Sequence, residues 1–509
     1  MNKISVEGNR FVDEYDRERI FYGINFGNKG FTLSYLHEKF DSDGVLGDNI
    51  DYLKNHGLNI VRYFLNWSYL EPNPGEYNEK AFDDIKRFLD MCVKKGMYVI
   101  IDMHQDLYSS FDLIPKLMSA KKRPKWANKM GDGAPEWACI TDGHSFRTPL
   151  FVWAEGYFID KAVHHCFDNF WNNTEVFGKG LQDYFCDLWR EIAKRFSDHP
   201  ALVGFDLFNE PFQGSDGGEI YRKLIKSVVK TTIKDERINK KKLLSSLSQK
   251  EPVPKILEQY NADMLKAITS PCKEIVERFD KETYSPFINK VAAAIRQETD
   301  KGIIFFEHSY YSNLGIPFSA PPITVGGKRE TNQAFAPHAY DFMVDTPIYK
   351  YADNNRVESI FNQRRKEQNE NLKTPVMVGE WGGGHYPFDW IPHAEFLLDL
   401  FDSYKWSHLY WCFYQNMKNT PIVDMLCRPH PVAVCGEIVS YKFNKTENKF
   451  TLQFEQTKTY PVPTVIFCHR EIKEVITNGN YTVEKAGAHT YLLNLKTEKG
   501  TNKIEIMFK

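Results

Sequence analysis

Eight short, nearly continuous apolar runs recur between residues 21 and 414: FYGINF (21–26), NIVRYFL (59–65), MYVIIDMH (97–104), LVGFDLFNE (202–210), GIIFFE (302–307), QAFAPHAY (333–340), PVMVGEW (375–381) and HLYWCFY (408–414). Runs that are apolar on both alternating faces fit strands buried on both sides of a parallel sheet. Between them lie segments of helical period. EKAFDDIKRFLDMCVKKG (79–96) places apolar residues at 81, 82, 85, 88, 89 and 92 and stops at a glycine, and GLQDYFCDLWREIAKRF (180–196) repeats the pattern. Eight alternations of buried strand and helix predict an α/β chain folded as a (β/α)8 barrel. An open doubly wound sheet would need a glycine-rich phosphate loop after an early strand, and no GxGxxG or GxxxxGK[ST] follows any of these runs.

After about residue 436 the period changes to two. KFTLQFEQ (449–456) alternates Phe450, Leu452 and Phe454 with polar residues, and TVIFCH (464–469), TYLLNL (490–495) and NKIEIMF (502–508) follow, with turn signals at NKTENK (444–449) and NGN (478–480). The expected organisation is a barrel over residues 1–435 and a small antiparallel β-sandwich over 436–509, the latter a packing module rather than a carbohydrate binder. Two insertions, about 105–179 and 212–300, follow the third and fourth strands, on the face where barrels carry their chemistry. Within the second, KLLSSLSQKEPVPK reads as a mobile loop.

Composition narrows the class. A chain of 509 residues exceeds the ~250–300 that one core sustains, and 42% apolar with 26% charged residues excludes wholesale disorder. Lys+Arg 65 against Asp+Glu 67 leaves −2, which argues against nucleic acid as a partner. No run approaches the ~18 apolar residues of a membrane span, and MNKISVEGNRFVDEYDRER lacks the apolar core of a secretion signal, so a cytoplasmic location is expected. Nine scattered cysteines without a CxxC read as reduced buried thiols. Sequons at Asn66, Asn172, Asn444 and Asn480 are no more than chance supplies.

Polar residues at the C-terminal ends of barrel strands are the candidates for chemistry. In order they are Arg62, His104 with Asp106, Asn209 with Glu210, His338 with Tyr340, Glu380 and Trp411. Glu210 and Glu380 each end an apolar run, and buried carboxylates need a partner or a task. On strands four and seven they would face one another across the barrel mouth, as glycosidic bond cleavage requires: one protonated to donate to the leaving oxygen, one ionised to attack the anomeric carbon. A separation of ~5–5.5 Å would mean retention, and ~6.5–9.5 Å inversion.

NEP (209–211) paired with GEW (379–381), with Arg62, His104, His338, Tyr340 and Trp411 in order between and around them, resembles glycoside hydrolase family 5 of the clan A barrels. DMHQD (102–106), GDGAPEWACITDG (131–143), HHCFDNFWNN (164–173), FDLFNEP (205–211), PHAYD (337–341), GEWG (379–382) and RPHPVAV (428–434) are similar to its endoglycoceramidase-related branch, which splits glycosphingolipids or simpler glucolipids. The resemblance implies Glu210 as acid/base and Glu380 as nucleophile of a retaining enzyme, and Asn209 on the sugar 2-OH. It implies Arg62 and Tyr340 bracketing Glu380, His104 and His338 bonded to the carboxylates and their neighbours, and Trp411 as the floor under the sugar. Asp106, Trp171 and Lys29 are further sugar contacts. No metal or cofactor is implied, no HExxH occurs, and no obligate protein partner is evident. The long 105–130 segment and the second insertion depart from the branch and leave the substrate open: ceramide or sterol aglycone, with a polysaccharide endo-β-glucanase or mannanase as rival and a non-catalytic binding module as a distant one.

A lipid substrate also fits the basic stretch 222–242. There Lys226, Lys230 and Lys234 recur beside Leu224, Ile225, Val228, Val229 and Ile233, a pattern open to two readings: a surface helix whose apolar face packs on the barrel, or a transient contact with an anionic membrane surface.

Overall fold

The computed structural model describes residues 1–27, 45–109, 131–147, 153–241, 258–344, 348–384, 386–414 and 416–509. Each of the eight apolar runs contains a strand: β1 (Tyr22–Phe26), β2 (Ile60–Asn66), β3 (Tyr98–His104), β4 (Leu202–Asp206), β5 (Ile303–Phe306), β6 (Gln333–Phe335), β7 (Met377–Gly382) and β8 (Ser407–Trp411). They pair in parallel in the order β6-β5-β4-β3-β2-β1-β8-β7. The bridges Phe335–Val376 and His338–Glu380 join β6 to β7 and close the barrel. The helix after β2 runs Glu79–Lys95 and ends on Gly96 at φ 68°, the left-handed cap a glycine accepts without strain. The helix before β4 spans Leu181–Phe196.

The N-terminal residues depart from the expected boundary. Ile4–Glu7, Arg10–Asp13 and Glu18–Arg19 belong to the sandwich, continuing through His430–Val434, Thr464–Cys468, Tyr491–Lys496 and Asn480–Lys485 as one seven-stranded antiparallel sheet. Four more strands, Glu437–Asn444, Lys449–Gln456, Gly500–Phe508 and Ile472–Thr477, form the facing sheet. Short strands such as ISVE and RFVD carry too few residues to announce which sheet they join. Their work is visible in packing. Phe11 inserts among the inward residues of the barrel, edge-on to Phe21 at 5.8 Å and 6.2 Å from Phe305, so this hairpin plugs the end opposite the strand C-termini. Phe11→Ala removes a ring that is 3% exposed. It should cost about 3–5 kcal/mol in denaturant unfolding; a loss under about 1 kcal/mol would show that the plug is dispensable.

The second insertion carries helices Ser215–Lys234, Ala262–Thr269, Lys273–Arg278 and Ser285–Glu298, of which the last packs on Leu181–Phe196. The expected mobile loop at 242–255 and most of the 105–130 segment lie outside the described residues.

Candidate active site

Arg62, projecting from β2 into the barrel, organises the site. It is fully buried and spends all five of its N–H donors: Nε on Asp206 Oδ2 at 2.7 Å, Nη1 on Asn25 and Glu380 Oε1 at 3.0 Å each, Nη2 on Asn209 at 3.0 Å and Glu307 Oε1 at 2.7 Å. Asp102 adds an ion pair at 2.9 Å. Burial works against the cation, but Asp102, Asp206, Glu307 and Glu380 together hold Arg62 well above its ordinary value, so it stays charged.

Glu380 stands on β7 between two donors, Arg62 Nη1 on Oε1 at 3.0 Å and the Tyr340 hydroxyl on Oε2 at 2.9 Å. Glu210 lies four residues beyond β4, not on the strand, in the left-handed region at φ 44°. Such strain in a residue with a side chain persists only where the surroundings over-determine it. Here its amide N–H is held by Glu307 Oε2 at 2.8 Å, and its carbonyl accepts from Gln105 at 3.2 Å. Its Oε1 accepts from Asn313 at 3.0 Å and from His338 Nδ1 at 3.1 Å. His338 joins the two acids, with Nδ1 3.7 Å from Glu380 Oε2 and Nε2 3.2 Å from Glu307. An oxygen of Glu210 and an oxygen of Glu380 lie within 4.8 Å of one another. That approach fits the short spacing of double displacement, not the ~6.5–9.5 Å that leaves room for a water.

Gly379 makes the crossing possible: a Cβ there would sit 2.6 Å from His338 Nε2. Burial alone would strip the proton from His338, but the charges of Glu307 and Glu380 and its hydrogen bonds to Glu210 and Glu307 hold it well above the ordinary histidine value. Burial pushes Glu307 up to about 8 and raises Asp206, so the inner acids carry more protons than free carboxylates would.

His104 donates or accepts through Nδ1 at 2.8 Å from Asp102 and stacks on Trp411 at 5.3 Å; Phe64 stacks on the same indole at 5.5 Å. The floor expected at Trp411 is therefore an aromatic tier with two rings beside it. Asn209 donates Nδ2–H to the Gln105 carbonyl at 3.0 Å, which leaves a second N–H on that nitrogen. Asp106 lies buried beside His104 Nε2 at 3.6 Å and pairs through its backbone with Asp132. Trp171 is half-buried against Phe208 and Phe287, with its indole N–H on the Phe212 carbonyl at 2.8 Å. Lys29 lies outside the described residues.

Four contributors escape the sequence reading. Glu307 bears the same mark as Glu210 and Glu380, a carboxylate ending an apolar run, GIIFFE. Asp102 and Asp206 sit inside such runs, and Asn313 lies in a turn with no pattern at all. Among the described residues three groups could hold a metal ion: His104/Asp106/Asp132, Glu210/His338/Glu380 and Asp102/Asp206/Glu307. In the third the Arg62 guanidinium already touches every carboxylate.

A family model described as cellulase (glycosyl hydrolase family 5) matches residues 22–417, and one described as the glycoside hydrolase family 5 C-terminal domain matches 428–506. An endoglycoceramidase of Cyanea nozakii is 24% identical over 496 residues, covering 89% of this chain and 81% of its own. The structure of endo-glycoceramidase II from Rhodococcus sp. in complex with ganglioside GM3 superposes with a TM-score of 0.68 at 20% identity, over 99% of this chain and 100% of that one. Sterylglucosidase 1 of Cryptococcus neoformans superposes with a TM-score of 0.69 at 14% identity, over 100% and 97%.

Proposed function

Since the chain belongs to glycoside hydrolase family 5, we propose that it is a retaining β-glycosidase that cuts a sugar or oligosaccharide from a lipid aglycone, of the glycosylceramide type. One observation carries the mechanism: carboxylate oxygens of Glu210 and Glu380 within 4.8 Å, with His338 Nδ1 reaching both. Glu380, oriented by Arg62 and Tyr340, attacks the anomeric carbon as the bond to the leaving oxygen breaks. Glu210 gives that oxygen its proton. In the second step Glu210 takes a proton from water, whose oxygen displaces Glu380 and releases the sugar with its configuration kept. Asn209, with one N–H uncommitted, serves the 2-OH, an interaction that tightens in the transition state. Trp411 floors the subsite, Asp106 and Lys29 serve hydroxyls further along the glycan, and Trp171, its N–H held by the Phe212 carbonyl, offers a ring for stacking.

The lipid aglycone is supported by the likeness to proteins named endoglycoceramidase and by one helix. Incubation with glucosylceramide, lactosylceramide, ganglioside, steryl glucoside and cellotetraose, with products identified by mass, tests it. Free ceramide with an intact glycan is the expected result. Cleavage of steryl glucoside alone would replace the aglycone, and of cellotetraose alone would overturn the lipid reading.

The helix is Ser215–Lys234, which starts just after the Glu210 loop. Its apolar positions divide between a packed face and an exposed one. Leu224 and Val228 pack on Ile238, Tyr260, Met264 and Ile268, but Ile225, Val229 and Ile233 are 46%, 53% and 64% exposed, next in sequence to the exposed Lys226, Lys230 and Lys234. No helix among the described residues is long and apolar enough to cross a membrane. An apolar ridge edged with lysines instead suits the surface of an anionic bilayer, the transient partner we propose for 222–242. At ~1 kcal/mol per basic group, changing all three lysines to Glu should slow hydrolysis in anionic vesicles at least ~10-fold and leave a soluble aryl glycoside within about 2-fold. Equal losses on both would dismiss the contact. A cytoplasmic setting, with peripheral membrane association through this helix, is part of the proposal; nine cysteines standing as free thiols fit a reducing compartment.

A further inference from the structure

Strand β5 contributes to this site through a unit that the acid–base pair alone does not require. Glu307 at its end holds the Glu210 amide at 2.8 Å, and the turn Tyr310–Leu314 that follows is docked on the next residue, the Tyr310 N–H donating to the Pro211 carbonyl at 2.7 Å. The turn is pinned again where the Tyr311 hydroxyl donates to the Gly217 carbonyl at 2.9 Å and the Tyr310 ring lies 4.3 Å from that of Tyr157. Asn313 is carried by this turn, and its Nδ2 donates to Glu210 Oε1 at 3.0 Å.

We propose that Asn313 is a positioning residue for proton transfer: with His338 it fills both lone pairs of Glu210 Oε1, so that the proton exchanged with substrate resides on Oε2. The inference rests on Glu210 being the acid/base. A carboxylic acid has two oxygens, and an acid held by no donors divides its proton between them. Here Asn313 donates to Oε1 at 3.0 Å, and His338 Nδ1, 3.1 Å from the same oxygen, donates to it as imidazolium or as the Nδ1–H tautomer. A proton on Oε1 would face two donors, so Oε2 bears it. With the amide turned the other way, Asn313 Oδ1 would face Oε1 as one acceptor against another once Glu210 has given up its proton, so only the orientation with Nδ2 on Oε1 serves both steps. In the first step the Oε2 proton passes to the leaving oxygen as the bond from the anomeric carbon breaks. In the second, Oε2 takes a proton from the attacking water, and the acid is restored with no net change.

Leaving groups separate this role from a structural one. A dinitrophenyl glycoside departs without a proton, whereas an alkyl or ceramide glycoside needs one. Asn313→Leu keeps the approximate shape and removes the donor, and Asn313→Ala is the second variant. For both, kcat/KM on the ceramide glycoside should fall by at least ~30-fold and on the dinitrophenyl glycoside by less than about 3-fold, within the ~10²–10⁴ that general acid catalysis supplies. Equal losses on the two substrates, or no loss on either, would overturn the assignment. Glu210→Ala run alongside keeps the failures distinct: if it shows the leaving-group split and the Asn313 variants do not, only this inference fails, and if it shows no split the acid/base reading fails as well.

Discussion

Glu380→Gln should abolish turnover, by a factor on the order of 10⁴–10⁶ in kcat, while the protein stays folded and still binds its glycolipid. The amide cannot displace a leaving group, yet it fits the same space and can still accept from Arg62, which donates to Glu380 Oε1 at 3.0 Å. Folding should not suffer, because the site holds an excess of negative charge. Burial and neighbouring acids already push Glu307 up to about 8 and raise Asp206 despite Arg62, so deleting one more charge relieves repulsion. Thermal unfolding and calorimetric binding check both halves. Hydrolysis persisting within about 10-fold of the native rate would remove Glu380 from the mechanism.

Arg62→Leu has the largest expected cost in stability. Asp102, Asp206, Glu307 and Glu380 all lie within 3.0 Å of the guanidinium, and its removal leaves four buried acids without their cation. Breaking a buried ion pair from one side costs about 3–5 kcal/mol. The sign of the pH dependence follows from Glu307. Raised from an ordinary 4.5 to about 8, it keeps its proton in the folded protein across a range where the unfolded chain releases it, so its contribution weakens as pH rises through that window. Without Arg62 the fall steepens, because His338 alone then offsets burial of the ionised acids. The deficit measured by denaturant unfolding should be larger at pH 8 than at pH 5. A deficit equal at the two values would mean that the guanidinium packs there without compensating charge.

The barrel is legible in the sequence because parallel strands buried on both faces need continuous apolar runs, and eight such runs recur. The ends of those strands are less legible. The apolar letters of LVGFDLFNE continue through Phe208, but β4 stops at Asp206 and Glu210 takes a left-handed conformation on the loop. QAFAPHAY forms only three residues of strand, after which Pro337, with no N–H to give, leads into His338. The catalytic candidates could be read because a carboxylate closing an apolar run is costly, and Glu307 could have been read by the same rule. Asp102 and Asp206 could not. Their cost is offset by Arg62, 40 and 144 positions away, and only the closed barrel brings the three together. Asn313 has no signature because its role depends on where a turn docks, not on spacing. That the chain before residue 20 joins the sandwich, not the barrel, is illegible for a similar reason: Phe11 belongs to the barrel core by packing while its backbone pairs with the sandwich.

A glycosyl-enzyme trapped in place tests the account most directly. Brief incubation with a 2-deoxy-2-fluoro-β-glucosyl or β-lactosyl fluoride slows the second step more than the first, and proteolysis followed by mass spectrometry locates the sugar. The account predicts one equivalent, attached to the peptide that contains Glu380. Label on another residue, or no label from an enzyme that releases the inverted anomer, would contradict it.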